Sequence, residues 1–552
     1  MLATAVTAVI NGLRGELVRV EVDVAPGLPA CYIVGLPDAA LLEARERVRG
    51  AIRHSGFDYP AARITVNLAP AALRKRGAAY DLAIAIGILV ASGQIRGGGG
   101  SWALLGELSL SGTVEPVAGV LPMVATLSRA GYRRVGVPAR NLAEARVVAG
   151  AEAVGLEGLD DAARLVAGPR GRTARAAARR PALVLSSPAS GSPQADRQPA
   201  AAAPLAGQIQ PVDLAEIRGQ QHARWALEVA LVGGHNLLLV GPPGAGKTLL
   251  ARSIPGLLPP LGDNEALEVS VIESVAGILG LGGLRRDRPF RAPHHTSSYA
   301  ALVGGGPALL PGEATLAHRG VLFLDELAEF DRSTLDALRQ PLEEGVLTIA
   351  RARGHVRYPA RFQLVAAMNP CRCGRRNDAS RPCTCPPADA ERYVGRVSGP
   401  LLDRIDMRIE MARVEPEALL DGPPPEASAV VRARIVAARE LSLRRNAGRT
   451  NAELSGAAVL AASRPSNAAR TRLAELGAAS ALSARAIHRV LRVARSVADL
   501  QAHAEVTEDD VLSAAALHER GDSEAAPAEV AAAPPGRPSP RAGPARTRRL
   551  AA

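Results

Sequence analysis

Residues 236–250 read NLLLVGPPGAGKTLL. An apolar run breaks into a glycine-rich turn and then resumes as an apolar helical pattern. The spacing G-x-x-x-x-G-K-[ST] therefore falls between an expected strand and an expected helix, the context that gives it chemical meaning. This is a phosphate-binding loop. Gly241, Gly244 and Gly246 free the backbone to turn its N–H groups inward, where they and the N-terminus of the next helix hold phosphate oxygens that a Cβ would crowd. The run Gly241, Pro242, Pro243, Gly244, Ala245, Gly246, Lys247 and Thr248 is expected to cradle ATP. Lys247 would neutralise the β- and γ-phosphates, and Thr248 would ligate Mg²⁺.

Downstream, GVLFLDELAEF (320–330) carries four apolar residues that deliver Asp325 and Glu326 to the C-terminal end of a buried strand. In an open α/β sheet that edge is where ligands bind. Asp325 would hold Mg²⁺ through its water shell, and Glu326 would orient or deprotonate the attacking water. Alone, an apolar strand ending in Asp-Glu reads equally as a strand followed by a helix cap; a phosphate loop upstream makes the reading specific. A third strand, RFQLVAAMNP (361–370), ends in Asn369, placed to touch the γ-phosphate or the water. GPLLDRIDMRIEM (399–411) offers Arg404 beside Asp403 and Asp406, which on its own is a surface ion-pair partner.

Around this block the chain divides by pattern. Residues 1–166 alternate strand-like and helix-like segments, such as LVRVEVDV (17–24) and AALLEARERVRGAIRHS (39–55), and form an α/β domain whose periodicity names no activity. Residues 167–207 are rich in Pro, Ala, Ser and Arg without period and read as a disordered linker, as does the tail 521–552. Residues 208–412 hold the nucleotide block, an α/β unit with a parallel sheet. Residues 413–520 are helical, a lid-like domain with Arg485 early in its second long helix and a capping-box variant at Thr507 and Asp510.

The formal net charge of +12 is carried mainly by arginine and fits an anionic partner such as nucleic acid, or a compositional bias toward Arg, Ala, Gly and Pro. No basic leader with an unbroken apolar region and no uncharged apolar run of about twenty residues is present, so no membrane association and a cytoplasmic location are expected. Five cysteines in 552 residues argue against a disulfide framework.

Taken together, GPPGAGKT, RPFRAPHHTSS (288–298), PGEATLAHRGVLFLDELAEF (311–330), FQLVAAMNPCRCG (362–374) and SGPLLDRID (398–406) resemble the AAA+ ATPases of the magnesium-chelatase-like group. The whole chain resembles the ComM/YifB family of competence-associated ATPases. The resemblance implies that Asn369 is sensor 1, that Arg404 is an arginine finger acting on a neighbouring subunit's nucleotide, and that Arg485 is sensor 2. A finger acting in trans implies a ring, a homo-hexamer. The N-terminal domain is similar to the proteolytic domain of Lon proteases, clearest in GELSLSGTVEPVAGVLP (106–122), but the nucleophile and lysine positions fall at Ala79 and Leu121. Neither can do Ser-Lys chemistry, so the domain is read as non-catalytic. The resemblance implies a DNA helicase promoting branch migration in recombination of incoming DNA. The rivals are a magnesium-chelatase motor subunit, an ATP-dependent Lon-like protease, and a regulatory switch whose ATP state controls assembly.

Other features concern partners. GVLTIARARGHVRYPARFQL (345–364) reads as strand, turn and strand; relatives place a hairpin here that points into the ring's pore, where Arg351, Arg353, Arg357 and His355 would meet a single-stranded or branched DNA backbone. The other reading is a solvated hairpin. Cys371, Cys373, Cys383 and Cys385 form two C-x-C pairs that could hold a structural Zn²⁺, or remain reduced thiols. His294 and His295 lack a third ligand nearby and are read as no metal site; by resemblance their segment lies in an insertion that contacts substrate. Cys31 is read as a buried apolar residue.

Overall fold

The computed structural model describes residues 1–35, 39–70, 78–96, 102–168, 211–306, 309–351, 354–376, 381–420, 424–479 and 481–518. Most of the expected linker, the tail 521–552 and Arg353 lie outside the described residues.

The N-terminal sheet is built on period-two alternation. In the strand Arg14–Ala25, Val18, Val20 and Val22 are fully buried while Arg19 and Asp23 face out. This strand pairs antiparallel along the whole of Leu2–Asn11, and Gly12, at φ 62°, begins the turn between them. Five more strands complete a seven-stranded mixed sheet in the order Ala30–Val34, Arg63–Ala69, Arg14–Ala25, Leu2–Asn11, Trp102–Leu104, Arg134–Pro138, Glu152–Leu156. The helix Asp81–Ala91 is buried along nearly its full length against one apolar cluster. The helix Val120–Arg129 packs in a second cluster with Val6, Ala8 and Ala103.

The second sheet has five strands, all parallel, in the order Phe290–Arg291, Val321–Leu324, Gln363–Met368, Leu237–Val240, Met407–Glu410. Every residue of the three central strands is buried. Burial on both faces explains why their sequences are unbroken apolar runs rather than alternating ones. The strand ending at Asn369 lies between the strand entering the phosphate loop and the strand ending at Asp325, so three separated segments end side by side on one edge.

The C-terminal helices Ser428–Arg445, Asn467–Ala479, Ala484–Leu500 and Glu508–Ala516 share one apolar cluster with the sheet: Val431, Ile435, Val490 and Val497 pack with Leu237, Leu239 and Val365. They cover a sheet face directly.

Buried polar contacts dock the N-terminal sheet unit onto the second. Ser274, in the helix Asp263–Val275, accepts from the Gly119 N–H through its carbonyl at 2.8 Å and donates from its hydroxyl to Glu144 at 2.7 Å. Burial pushes the Glu144 carboxyl above its usual range.

Candidate functional site

The helix Lys247–Arg252 begins at Gly246, which has φ 91°; Gly244, at 82°, shares this left-handed region, which residues with a Cβ rarely enter. Lys247 is 8% exposed, and its Nζ donates to the Gly241 carbonyl at 2.6 Å, the Pro242 carbonyl at 3.0 Å and Asn369 Oδ1 at 3.1 Å. Burial lowers its pKa, while Asp325 and Glu326 pull in the opposite direction. Thr248 Oγ1 donates to Asp325 Oδ2 at 2.7 Å, and Asp325 Oδ1 accepts the Glu326 N–H at 2.9 Å. The expected set therefore forms two hydrogen-bonded pairs, Lys247 with Asn369 and Thr248 with Asp325, joined through the peptide between Lys247 and Thr248, with Glu326 next in the chain. A hydroxyl and a carboxylate at hydrogen-bond distance form an oxygen pair suited to a hard divalent cation such as Mg²⁺.

Glu326 sits at φ 53°, an uncommon conformation for a residue with a side chain. Its Oε2 lies 3.1 Å from His295 Nδ1. The sequence reading missed this pairing, although His295 lies in the segment RPFRAPHHTSS on which the resemblance partly rests. Among the described residues His294 and His295 belong to no cluster able to hold a metal; the His294 ring stands 4.1 Å from that of His295.

Arg404 and Arg485 lie elsewhere. The Arg404 carbonyl accepts from Asn236 Nδ2 at 2.8 Å, and Asn236 immediately precedes the strand Leu237–Val240 that leads to the phosphate loop. Arg404 ion-pairs with Glu343, and Arg485 Nη2 lies 3.7 Å from the same carboxylate. The hydrogen bond from Arg404, first among the causes, holds the Glu343 carboxyl below its usual range. Both arginines line a cleft of about 1400 Å³ that includes Asn236, Gly320 and Gln363, residues at the starts of the central strands. This is the amino edge of the sheet. The phosphate loop is on the carboxyl edge, one strand length or roughly 13 Å away.

Val346–Arg351 and Gly354–Pro359 pair antiparallel as a hairpin, with Arg351 opposite Gly354 and Arg357 opposite Thr348. Arg357 is exposed, and Leu347 and Tyr358 bury the base. The backbone at Arg351 and His355 belongs to this hairpin; Arg353 lies outside the described residues.

Sγ atoms of Cys371, Cys373, Cys383 and Cys385 all lie within 4.8 Å of one another. Cys371 is 3.4 Å from Cys373 and 3.7 Å from Cys383, and Cys373 is 3.5 Å from Cys383. Tetrahedral zinc with Zn–S near 2.3 Å needs sulfur separations of about 3.8 Å, so the set fits that ion. Backbone N–H groups of Thr384 and Arg375 hold the Cys373 thiol down to about 5. Cys31 is part-buried, and its thiol is pushed up by burial.

No described helix is long and apolar enough to cross a membrane. In the N-terminal sheet unit, Leu121 is buried with its N–H 3.3 Å from Ser274 Oγ, and neither it nor Ala79 carries an ionisable group.

Residues 213–419 match the family profile described as magnesium chelatase, subunit ChlI; residues 20–141 match subunit ChlI of Mg-chelatase, and residues 425–518 match its C-terminal profile. The chain is 41% identical to YifB of Escherichia coli over 89% of this chain and 91% of that protein. It is 40% identical to the competence protein ComM of Haemophilus influenzae over 90% of this chain and 93% of that protein. The magnesium-chelatase subunit ChlI of Olisthodiscus luteus is 28% identical over only 28% of this chain and 49% of its own length. The breadth of the YifB and ComM matches, joined to the parallel sheet and its phosphate loop, shows that this chain belongs to the ComM/YifB family of magnesium-chelatase-like AAA+ ATPases.

Proposed function

We propose that the protein is an ATP-hydrolysing ring motor that acts on DNA, as a helicase promoting branch migration in recombination. One observation carries the motor reading: Arg404 and Arg485 stand together on the amino edge of the sheet while the phosphate loop opens on the carboxyl edge. In a head-to-tail ring one subunit's amino-edge arginines can face the next subunit's loop, so both act in trans and hydrolysis needs the assembled homo-hexamer.

Within a subunit, Lys247 binds and neutralises phosphate oxygens and Asn369 orients them. Glu326 positions the attacking water and takes its proton. Thr248 and Asp325 would hold Mg²⁺, which supplies charge neutralisation on the phosphates. His295 holds the Glu326 carboxylate from the neighbouring strand's extension. The four cysteines would hold a structural zinc ion.

Support for DNA comes from the net charge of +12, the hairpin with Arg351 and Arg357, and the relative named a competence protein. A chelatase motor subunit is the second reading, favoured by the profile descriptions but opposed by the short match to a ChlI subunit. Ala79 and Leu121 oppose a Lon-like protease. ATP turnover is measured with single-stranded, forked and four-way-junction DNA across salt concentrations. Stimulation that weakens with salt, with strand displacement, supports the motor; turnover indifferent to every DNA overturns it.

A further inference from the structure

The cysteine loop lies against the phosphate loop. One contact joins them directly, Gly374 against Pro243, and two more join the phosphate loop to the strand that leads into the cysteine loop. The Gly241 N–H donates to the Met368 carbonyl at 3.2 Å, and Lys247 reaches Asn369, two residues before Cys371. Gly374, at φ 75°, is so close to the loop that a Cβ there would stand 2.5 Å from Pro243 Cδ. Gly374 is buried against this proline, and its N–H closes a turn onto the Cys371 carbonyl at 2.9 Å.

Among its described residues, the cysteine loop has few apolar anchors. Between residues 371 and 389, Cys371 and Gly374 are the only buried residues among those described, and Arg372, Arg376, Arg381 and Pro382 are exposed. A segment with few apolar anchors keeps one conformation only if something else closes it, and a metal bound by four thiolates closes a loop strongly. The four sulfurs converge at metal-like spacing, with Cys373 adjacent in the chain to Gly374 and Cys371 two residues beyond Asn369.

We propose that this cluster is a metal-dependent clamp on the nucleotide site: zinc bound by the four cysteines presses Gly374 onto Pro243 and fixes Asn369, and its release loosens ATP binding. The proposal rests on the zinc reading above and adds its consequence for the phosphate loop. The site becomes a point at which availability of a soft divalent ion regulates the ATPase.

The test uses the full chain carrying Glu326→Gln, so that binding of a fluorescent ATP analogue is read without turnover. Protein purified without chelator should contain one zinc per chain. Removing it with a high-affinity chelator should weaken nucleotide binding roughly tenfold or more, the scale on which small displacements of a preorganised site act, and added zinc should restore it. Gly374→Ala keeps all four thiols and should retain zinc yet bind the analogue more weakly, because its Cβ pushes Pro243 away. Circular dichroism checks that the variant and the zinc-free protein stay folded. Absence of stoichiometric zinc overturns the metal reading itself. Zinc present, but with affinity unchanged by its removal and by Gly374→Ala, overturns the clamp and leaves the metal reading standing.

Discussion

Lys247 Nζ donates to Asn369 Oδ1 at 3.1 Å, across 122 residues of sequence. The bond ties the phosphate loop to the tip of the neighbouring strand. A γ-phosphate entering the loop can take over the lysine's bonds to the Gly241 and Pro242 carbonyls while Asn369 stays within reach.

Lys247→Ala should therefore abolish measurable nucleotide binding, because the loop is left without its buried cation. Asn369→Ala should leave nucleotide affinity within a few-fold and lower kcat by about 10²-fold, the usual effect of removing one positioned polar group. Binding of a fluorescent nucleotide and single-turnover phosphate release separate the two. Equal weakening of binding in both variants would contradict the division of roles.

Arg404→Ala and Arg485→Ala should each bind ATP normally and fail to hydrolyse it. Mixed one to one with Lys247→Ala protein, Arg404→Ala protein should regain activity, since about a quarter of the interfaces then pair an intact loop with an intact finger. Phosphate release from the mixture, read against each variant alone, checks this. No recovery under conditions where subunits exchange would show that the arginines do not act between subunits.

Arg351→Ala combined with Arg353→Ala, and Arg357→Ala alone, should weaken DNA binding without altering turnover in the absence of DNA. The slope of log affinity against log salt should become shallower by about one for each DNA phosphate that is no longer neutralised. Fluorescence anisotropy with single-stranded and junction DNA measures both quantities. An unchanged slope removes the hairpin from the DNA path.

A pH effect is expected far from the ATPase site. Asp81 is fully buried beside Arg47, with its carboxylate 2.7 Å from Arg47 Nε, and burial outweighs that partner, raising its pKa from 3.8 to about 6. A raised folded-state pKa means the folded form holds the proton more tightly than the unfolded one. The resulting stability is full below about pH 4 and is lost as pH rises through about 6. Asp81→Asn should flatten the stability–pH curve in that window, as read by urea unfolding.

The parts of the site that sequence revealed are those in which one short segment carries both structure and chemistry. Glycines at fixed offsets force the loop's backbone, and an apolar run buried on both faces must be a central strand whose polar end reaches the ligand edge. Gly241 to Thr248, Asp325, Glu326 and Asn369 were readable for that reason. The four cysteines were readable as a set, because two C-x-C pairs announce themselves. Their position against Pro243 was not.

What the tertiary structure decided is which ends meet. Strand order comes from the packing of crossover helices, a non-local matter that no local period encodes. It put Asn369 between the phosphate loop and Asp325 and brought His295 to Glu326. It also set Arg404 and Arg485 together at Glu343 on the far edge of the sheet, although sequence alone made Arg404 a surface ion pair and left Arg485 on a helix of unknown placement. The chain's local patterns determined that it carries a phosphate-binding loop at the end of a buried strand; the order of its strands determined that Arg404 and Arg485 stand on the amino edge, away from that loop.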